Sequence, residues 1–297
     1  MFQCQCRRVA VLSDIHSNVW ALEACLEDAK KQGADCFVFL GDYVSGLSGA
    51  AQTLDVIEQL RKQYPTCCIR GNRERYMLEQ QSGQKVCVPG SDSGTMWFTY
   101  QQLRPKDLEF FQSLPFYDQI QINGVTLEIA HATMDQDRYL FVPGDDRIDH
   151  VVGQMEQKYL LCGHSHKPYQ YQARGKTVFN PGSVGQPFGS GYQARYALMD
   201  VQADGVCWSM RRVDYDVEAM IRSQFQSGLT QVGKCWAISD LYGALTGEKT
   251  TTKLLTEMFK HPEESLEDEQ LWQQTASSLG MAFTMEEVLD FWKEMNI

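Results

Sequence analysis

Val9-Ala10-Val11-Leu12-Ser13-Asp14-Ile15-His16-Ser17-Asn18 is the stretch on which the reading of this chain turns. Val9 to Ser13 is a short apolar run, which predicts a buried strand. That strand delivers a carboxylate and an imidazole two positions apart. Side chains at i and i+2 of an extended chain project to one side, so Asp14 and His16 can meet one cation. From Val19 to Lys31 the apolar spacing becomes helical, through Trp20, Leu22, Cys25, Leu26 and Ala29. Asn18 stands just before that helix and reads as its cap.

The same arrangement recurs along the chain. Cys36 to Leu40 is a strand running into Gly41-Asp42, and Cys67 to Arg70 is one running into Gly71-Asn72. Between them, Ala50 to Tyr64 is a helix stopped by Pro65. Strand, helix, strand, helix, strand at this spacing implies parallel pairing with right-handed crossovers. Ligands then bind beyond the carboxyl ends of the strands, where Asp14, Asp42 and Asn72 lie. Farther on, Leu127-Glu128-Ile129-Ala130 ends at His131, and the buried strand Tyr159 to Cys162 ends at Gly163-His164-Ser165-His166. Of six histidines in the chain, His16, His131, His164 and His166 fall in these motifs. Neutral imidazole is a common metal ligand. Singly, each motif has an ordinary reading as a turn residue or a surface histidine. Their conjunction, in order and each at a strand end, points to a metal-dependent hydrolase.

The rest of the chain fills out the architecture. Residues 82–114 interrupt the alternation with a loop and two helical stretches, Trp97 to Leu103 and Pro105 to Ser113, which read either as a cap over the site or as a surface excursion. Phe116 to Ile122 and Val125 to Ala130 form a hairpin about Asn123-Gly124. Further strands lie around Tyr169 to Ala173, Thr177 to Phe179, Arg195 to Val201 and Val206 to Val213, the last two joined by Ala203-Asp204-Gly205. Two sheets packed face to face and flanked by helices fit this pattern. After Val213 the character becomes helical: Val217 to Gln226, Lys253 to Lys260, Glu267 to Leu279 and Glu286 to Glu294. Gly228, Gly243, Gly247, Pro262 and Gly280 mark the breaks. Thr284 and Glu287 make a capping box, and the acidic stretch from Pro262 to Gln270 reads as solvated surface. We therefore expect a catalytic domain over residues 1–214 and a helical extension over residues 215–297.

At 43% hydrophobic residues, the chain can bury a sizeable core. A net charge of -11 disfavours a broad nucleic-acid or anionic-membrane surface. The ten cysteines include no C-x-x-C pair, and several lie in apolar runs as small hydrophobes. Met1 to Arg8 lacks a signal-peptide apolar core, and no run approaches a membrane span. A reducing cytoplasm is the expected location.

The motif set Asp14-x-His16, Gly41-Asp42, Gly71-Asn72-Arg73-Glu74, His131 and Gly163-His164-x-His166 resembles the calcineurin-like metallophosphoesterase superfamily, whose pattern is D-x-H, G-D, G-N-H-[DE], H and G-H-x-H. The resemblance covers roughly Arg7 to Val213. Ser13 to Asn18 and Asn180-Pro181-Gly182-Ser183-Val184-Gly185 resemble the small bacterial and archaeal phosphoesterase branch. It implies a four-layer α/β/β/α sandwich and two divalent metals bridged by one carboxylate. One metal would take Asp14, His16, Asp42 and His166, and the other Asp42, Asn72, His131 and His164. Metals about 3.5–4 Å apart can clamp the attacking and leaving oxygens of a phosphate while a bridging hydroxide attacks phosphorus. Mixed oxygen and nitrogen donors suit manganese, iron, nickel or zinc better than magnesium, with manganese expected first.

The chain departs from the pattern at Arg73, where many relatives carry a histidine that contacts phosphate and protonates the leaving group. A guanidinium stays protonated and cannot do the second job, but it can hold a phosphate oxygen. Asp42, Asn72, Arg73 and His131 are thus the expected catalytic residues. The expected activity is hydrolysis of a small, nucleotide-like phosphodiester or phosphoanhydride, such as a dinucleoside polyphosphate. A monoesterase, a nuclease or a non-catalytic protein-interaction scaffold of the same fold are the alternatives. No membrane partner is expected, and a homo-oligomer is left open.

Overall fold

Strands that deliver the motifs are buried on both faces, and that follows from their place between two layers of apolar side chains. The computed structural model describes residues 1–189, 191–202, 205–260 and 268–295. In chain order, β1 (Phe2–Cys4) precedes β2 (Val9–Leu12), α1 (Val19–Lys31), β3 (Cys36–Phe39), α2 (Ala50–Gln63), β4 (Thr66–Cys68) and α3 (Asn72–Gln81). Next come α4 (Gly94–Gln102), α5 (Pro105–Ser113), β5 (Tyr117–Ile122), β6 (Val125–Ala130), α6 (Arg147–Gln154) and β7 (Tyr159–Cys162). The sheets are completed by β8 (Pro168–Ala173), β9 (Lys176–Pro181), β10 (Ala194–Gln202) and β11 (Gly205–Val213). Five helices follow: α7 (Val217–Gln226), α8 (Leu229–Thr246), α9 (Thr250–Met258), α10 (Glu269–Ser278) and α11 (Met285–Met295).

One sheet has five strands in the order β11-β10-β2-β3-β4, and the other has six in the order β1-β5-β6-β7-β9-β8. β2, β3 and β4 pair in parallel, as the alternation predicts. The period of two then sorts their side chains. Val9, Val11, Cys36 and Val38 meet Ile120, Leu127, Ile129 and Leu161 of the other sheet. Ala10, Leu12, Phe37 and Phe39 face Leu22, Leu26, Leu54 and Ile57 of α1 and α2. On the far side, Ala130, Leu160 and Val178 pack on Ile148, Val151 and Val152 of α6. The result is the expected α/β/β/α sandwich. Parallel strands of both sheets open their carboxyl ends on one rim.

The hairpin turn holds Asn123 and Gly124 in the left-handed region, at φ of 52° and 84°, as a two-residue loop requires. The Thr284–Glu287 box closes reciprocally, with Glu287 Oε2 accepting from Thr284 N and Thr284 Oγ1 from Glu287 N, each at 3.3 Å. Ala203, Asp204 and the acidic residues 261–267 lie outside the described residues. Two elements differ from the sequence reading. β1 extends the six-stranded sheet by pairing with β5. The glycine at 243 does not break a helix: α8 runs through it, and its first turns are joined across a kink at Lys234. The insertion 82–114 packs α4 against α8 and contributes no residue to the cavity described below.

α7 to α11 share an apolar core of their own, which also takes in Leu47 and packs Trp20 and Tyr192 of the preceding sequence. Among the described residues no helix is long and apolar enough to cross a membrane.

Candidate metal centre

Each strand end bends abruptly to present its motif, and the backbone records the cost. Asp14, His16, Asp42, His164 and His166 all have positive φ, between 50° and 61°. A non-glycine residue held there costs about 1–3 kcal/mol, which surrounding bonds must offset. Those bonds are present. Ile15 N and His16 N both donate to Asp42 O, at 2.8 and 3.0 Å, which locks the first motif to the second. Gly185 N donates to Asp14 O at 3.0 Å and Phe188 N to His166 O at 3.2 Å. Two glycines give the room. A Cβ on Gly71 would lie 2.2 Å from Asp42 Oδ1, and one on Gly163 would lie 2.0 Å from Ser13 Oγ.

The structure brings all seven sequence-predicted ligands to this rim and gathers six of them into two adjoining groups. Asp14, His16 and His166 offer ligand atoms within 4.8 Å of one another, as do Asp42, His131 and His164. Asn72 joins the second group, with its Oδ1 3.2 Å from His131 Nε2. Asp42 links the two: its Oδ2 lies 3.4 Å from His131 Nε2 and 3.7 Å from His16 Nε2. His16 Nε2 and His166 Nε2 are only 3.0 Å apart. Two ring nitrogens that close, with a carboxylate oxygen 3.3 Å from one of them, form a set of donors converging on one point.

The other ring atoms are anchored as metal-binding imidazoles usually are. His131 Nδ1 lies 2.7 Å from Leu40 O, and His166 Nδ1 lies 2.7 Å from Gln186 O. Both carbonyls can only accept, so each Nδ1 carries the proton and each Nε2 is left for the centre. Asp14 Oδ2 accepts from His164 N at 3.0 Å, whereas its buried Oδ1 has no hydrogen-bond partner. A buried carboxylate oxygen without a donor is costly unless a cation meets it. The donor set and this oxygen fit a pair of divalent cations.

Protonation follows from the crowding. Burial opposes a charge on Asp14, but His166 and His131 beside it hold its carboxyl down at about 2. Burial also disfavours a cationic His131, yet Asp42 and Asp14 outweigh it and raise the imidazole to about 10. His16 is pushed down to about 3 by burial and by His166. His164 is pushed down to about 4 by burial and by His131. Two imidazoles are therefore neutral and ready to ligate at neutral pH, while His131 must first give up a proton.

Arg73 opens α3 beside this centre. Its backbone N–H donates to Asp42 Oδ1 at 2.8 Å, and its Nε lies 3.8 Å from Asp42 Oδ2, buried and without a hydrogen-bond partner. Two residues missed in the sequence reading complete the surroundings. Glu74 is fully buried and accepts from Gly71 N, Asp42 N and Tyr43 N at 2.7, 2.9 and 2.8 Å, so it clamps the Asp42 and Asn72 loops together. The acidic fourth position of the Gly71 motif was the available signal. Asp240 lies on α8, faces the centre and is raised to about 6 by burial; no motif announces it. Asn18 does cap α1, accepting from Ala21 N at 3.2 Å. His150 lies exposed on α6, away from the centre, and His261 lies outside the described residues.

A cavity of about 300 Å³ opens above Asp42, Asn72, Arg73, His164 and His166. Its opposite wall comes from the C-terminal helices: Asp240 of α8, Lys249, and Thr250, Thr251 and Thr252 in the first turn of α9. Phe188 lines it as well, stacked on His166 with ring centroids 4.6 Å apart.

Residues 8–204 match the calcineurin-like phosphoesterase superfamily domain. The chain belongs to this superfamily, and so to the class of metal-dependent phosphoesterases. It is 28% identical over 228 residues to an uncharacterized protein of the archaeon Methanocaldococcus jannaschii, an alignment covering 71% of this chain and 88% of that one. Its fold is similar to the crystal structure of a hypothetical protein from Pyrococcus horikoshii, with a TM-score of 0.69 and 21% identity, covering 82% of this chain and 99% of the other. It is similar also to a metallophosphoesterase from Sphaerobacter thermophilus, with a TM-score of 0.64 and 20% identity over 81% of this chain and all of that one.

Proposed function

We propose that this chain hydrolyses a phosphodiester or a nucleotide phosphoanhydride, such as a dinucleoside polyphosphate, at a two-metal centre. The observation that carries the reading is the position of Asp42, whose Oδ2 lies within 3.7 Å of a histidine of each ligand group. Asp14, His16, Asp42 and His166 would hold one cation, and Asp42, Asn72, His131 and His164 the other. Bound there, two divalent cations supply Lewis acidity and an acidified water near neutral pH. Manganese, iron, nickel and zinc suit the mixed donors, manganese first.

The chain's own residues then bind and orient. Arg73 lines the cavity with a buried Nε that has no hydrogen-bond partner, a donor suited to an equatorial phosphate oxygen. Across the cavity, Lys249 and the first turn of α9 offer a cation and a helix N-terminus. Helix N-termini favour anions. A substrate with two linked phosphates would span the two walls, which favours a nucleotide anhydride over a simple monoester. Arginine supplies no proton to a leaving group, so substrates with good leaving groups suit the site better. The acidic balance of the chain disfavours a nuclease, and its complete ligand set disfavours a scaffold.

The test is turnover of activated diesters, dinucleoside polyphosphates and alkyl monoesters with manganese, by the wild type and by Arg73→Ala. We expect diesters or anhydrides to be preferred. Arg73→Ala should lose about a hundredfold in kcat/KM, or ~3 kcal/mol of transition-state stabilisation, with unchanged metal content. Preference for alkyl monoesters together with a silent Arg73→Ala contradicts the reading.

A further inference from the structure

Among the described residues, the remaining cluster of metal-ligating side chains lies at the opposite end of the strands. Cys36 is the first residue of β3, whereas Asp42 follows that strand's carboxyl end, so the two sites are about 20 Å apart along an extended chain. Cys4 ends β1 in the six-stranded sheet, and Cys6 lies in the link to β2. The three thiols come within 4.8 Å of one another, and no other cysteine among the described residues joins a group of ligand atoms. We propose that Cys4, Cys6 and Cys36 form a second metal site, for a thiophilic d10 cation such as Zn2+ or Cu+, which ties the two sheets together at the rim opposite the phosphoesterase centre.

The geometry is close to what such an ion needs. Three thiolates at about 2.3 Å from a metal stand about 3.8–4.0 Å apart, so sulfurs already within 4.8 Å of one another need to close by about 1 Å at most. Their backbones are fixed for it. Cys6 N donates to Asn123 Oδ1 at 3.0 Å and Cys6 O accepts from Asn123 Nδ2 at 2.9 Å, while Cys4 O accepts from Asn123 N at 3.0 Å. Asn123 thus holds Cys4 and Cys6 from the β5–β6 turn. Asp35, next to Cys36, accepts from Arg7 N at 2.9 Å and Arg8 N at 3.1 Å, which pins the link to the five-stranded sheet.

Access and chemistry agree. Cys36 is fully buried, but Cys4 and Cys6 are only half-buried, so an ion can enter from solvent. Thiols bind such cations as thiolates, so binding would release their protons. All-sulfur donors select Zn2+ or Cu+ over the harder ions suited to the phosphoesterase centre. In sequence the pair Cys4-Gln5-Cys6 is too weak to read as a metal site; the fold adds the third thiol from β3, far away in the chain.

Cobalt separates this site from the other, because sulfur-to-cobalt charge-transfer absorption in the near ultraviolet arises only from thiolates, and the phosphoesterase ligands offer only oxygen and nitrogen. Titrating the full-length, reduced chain with Co2+ should give a band that saturates at one thiolate-bound ion per chain. The band should vanish in Cys6→Ser and in Cys4→Ser, and persist in Cys207→Ser, which removes an exposed thiol, and in His131→Ala. Loss of the band on adding Zn2+ identifies zinc as a competent occupant, and loss on adding Cu+ under anaerobic conditions identifies copper. Cys6→Ser should retain turnover within about twofold, since the site lies far from the cavity. No charge-transfer band, or a band that survives both serine substitutions, overturns the proposal.

Discussion

Within the Asp42 group two imidazoles are held in opposite states, His131 raised to about 10 and His164 lowered to about 4. Loading a cation there must expel the His131 proton, because a metal needs the neutral ring. The sign follows directly. Below about 10 the metal-free group holds one more proton than the metal-bound one, so loading strengthens as pH rises. Between pH 6 and 9 we expect the apparent dissociation constant at this position to fall by about tenfold per pH unit, with up to one proton released from this ring per ion bound. Calorimetry in buffers of different ionisation enthalpy measures that proton; loading independent of pH contradicts the assignment of His131. At this scale the sequence was most legible, because each candidate ligand stands within a few residues of a strand end and only four of six histidines needed a place. Glu74 was less so: its role is visible only once three backbone N–H groups from two loops converge on it.

The strand-end loops are the elements that make the centre; Gly41 is needed for its conformation, at φ of 92°, whereas Gly71 and Gly163 are space requirements. Gly71 has φ of -100°, which alanine adopts freely, so the whole cost of a side chain there is contact. Its Cβ would meet Asp42 Oδ1 at 2.2 Å and His131 Cε1 at 2.8 Å. Gly71→Ala should therefore fold yet bind metal at least about tenfold more weakly, as read by equilibrium dialysis; wild-type loading shows that the loops are not tightly set. The same property explains why α8 was illegible. It is buried around most of its surface, at Cys235, Ala237, Ile238, Leu241, Ala244 and Leu245, and so has no polar face to give it a period. Gly243 reads as a break but lies in close packing, since a Cβ there would sit 3.1 Å from Thr250 Oγ1. A Cβ on Gly233 would sit 2.8 Å from both Ala237 Cβ and Thr95 Cγ2.

For the whole molecule, the question is what the C-terminal helices add. All seven candidate ligands precede residue 167, while Asp240, Lys249 and Thr250 to Thr252 supply the far wall of the cavity. Ser48 Oγ and Ser223 Oγ lie 2.9 Å apart, and Gly189 N donates to Gly247 O at 2.7 Å, so the extension is docked by polar contacts as well as by the core around Leu47. We expect a chain ending near Asp214 to keep its metal content, to be less soluble because Trp20, Leu47 and Tyr192 lose their cover, and to lose discrimination among substrates through KM. A folded truncation without metal would show instead that the helices hold the ligand loops in place. The alternation of strands and helices made the sandwich readable. The cavity wall was not, because residues such as Asp240 and Lys249 carry no spacing that ties them to a site in the other half of the chain.

The proposal that Asp42 serves both cations is decided by metal content per chain in two variants. His131→Ala removes a ligand from one group only and should lower occupancy from two ions to about one. Asp42→Asn removes the shared carboxylate; it should reduce occupancy at both positions and, measured on an activated diester, remove several kcal/mol of transition-state stabilisation. Asp42→Asn protein that holds two ions and turns over like the wild type at saturating manganese would contradict the account.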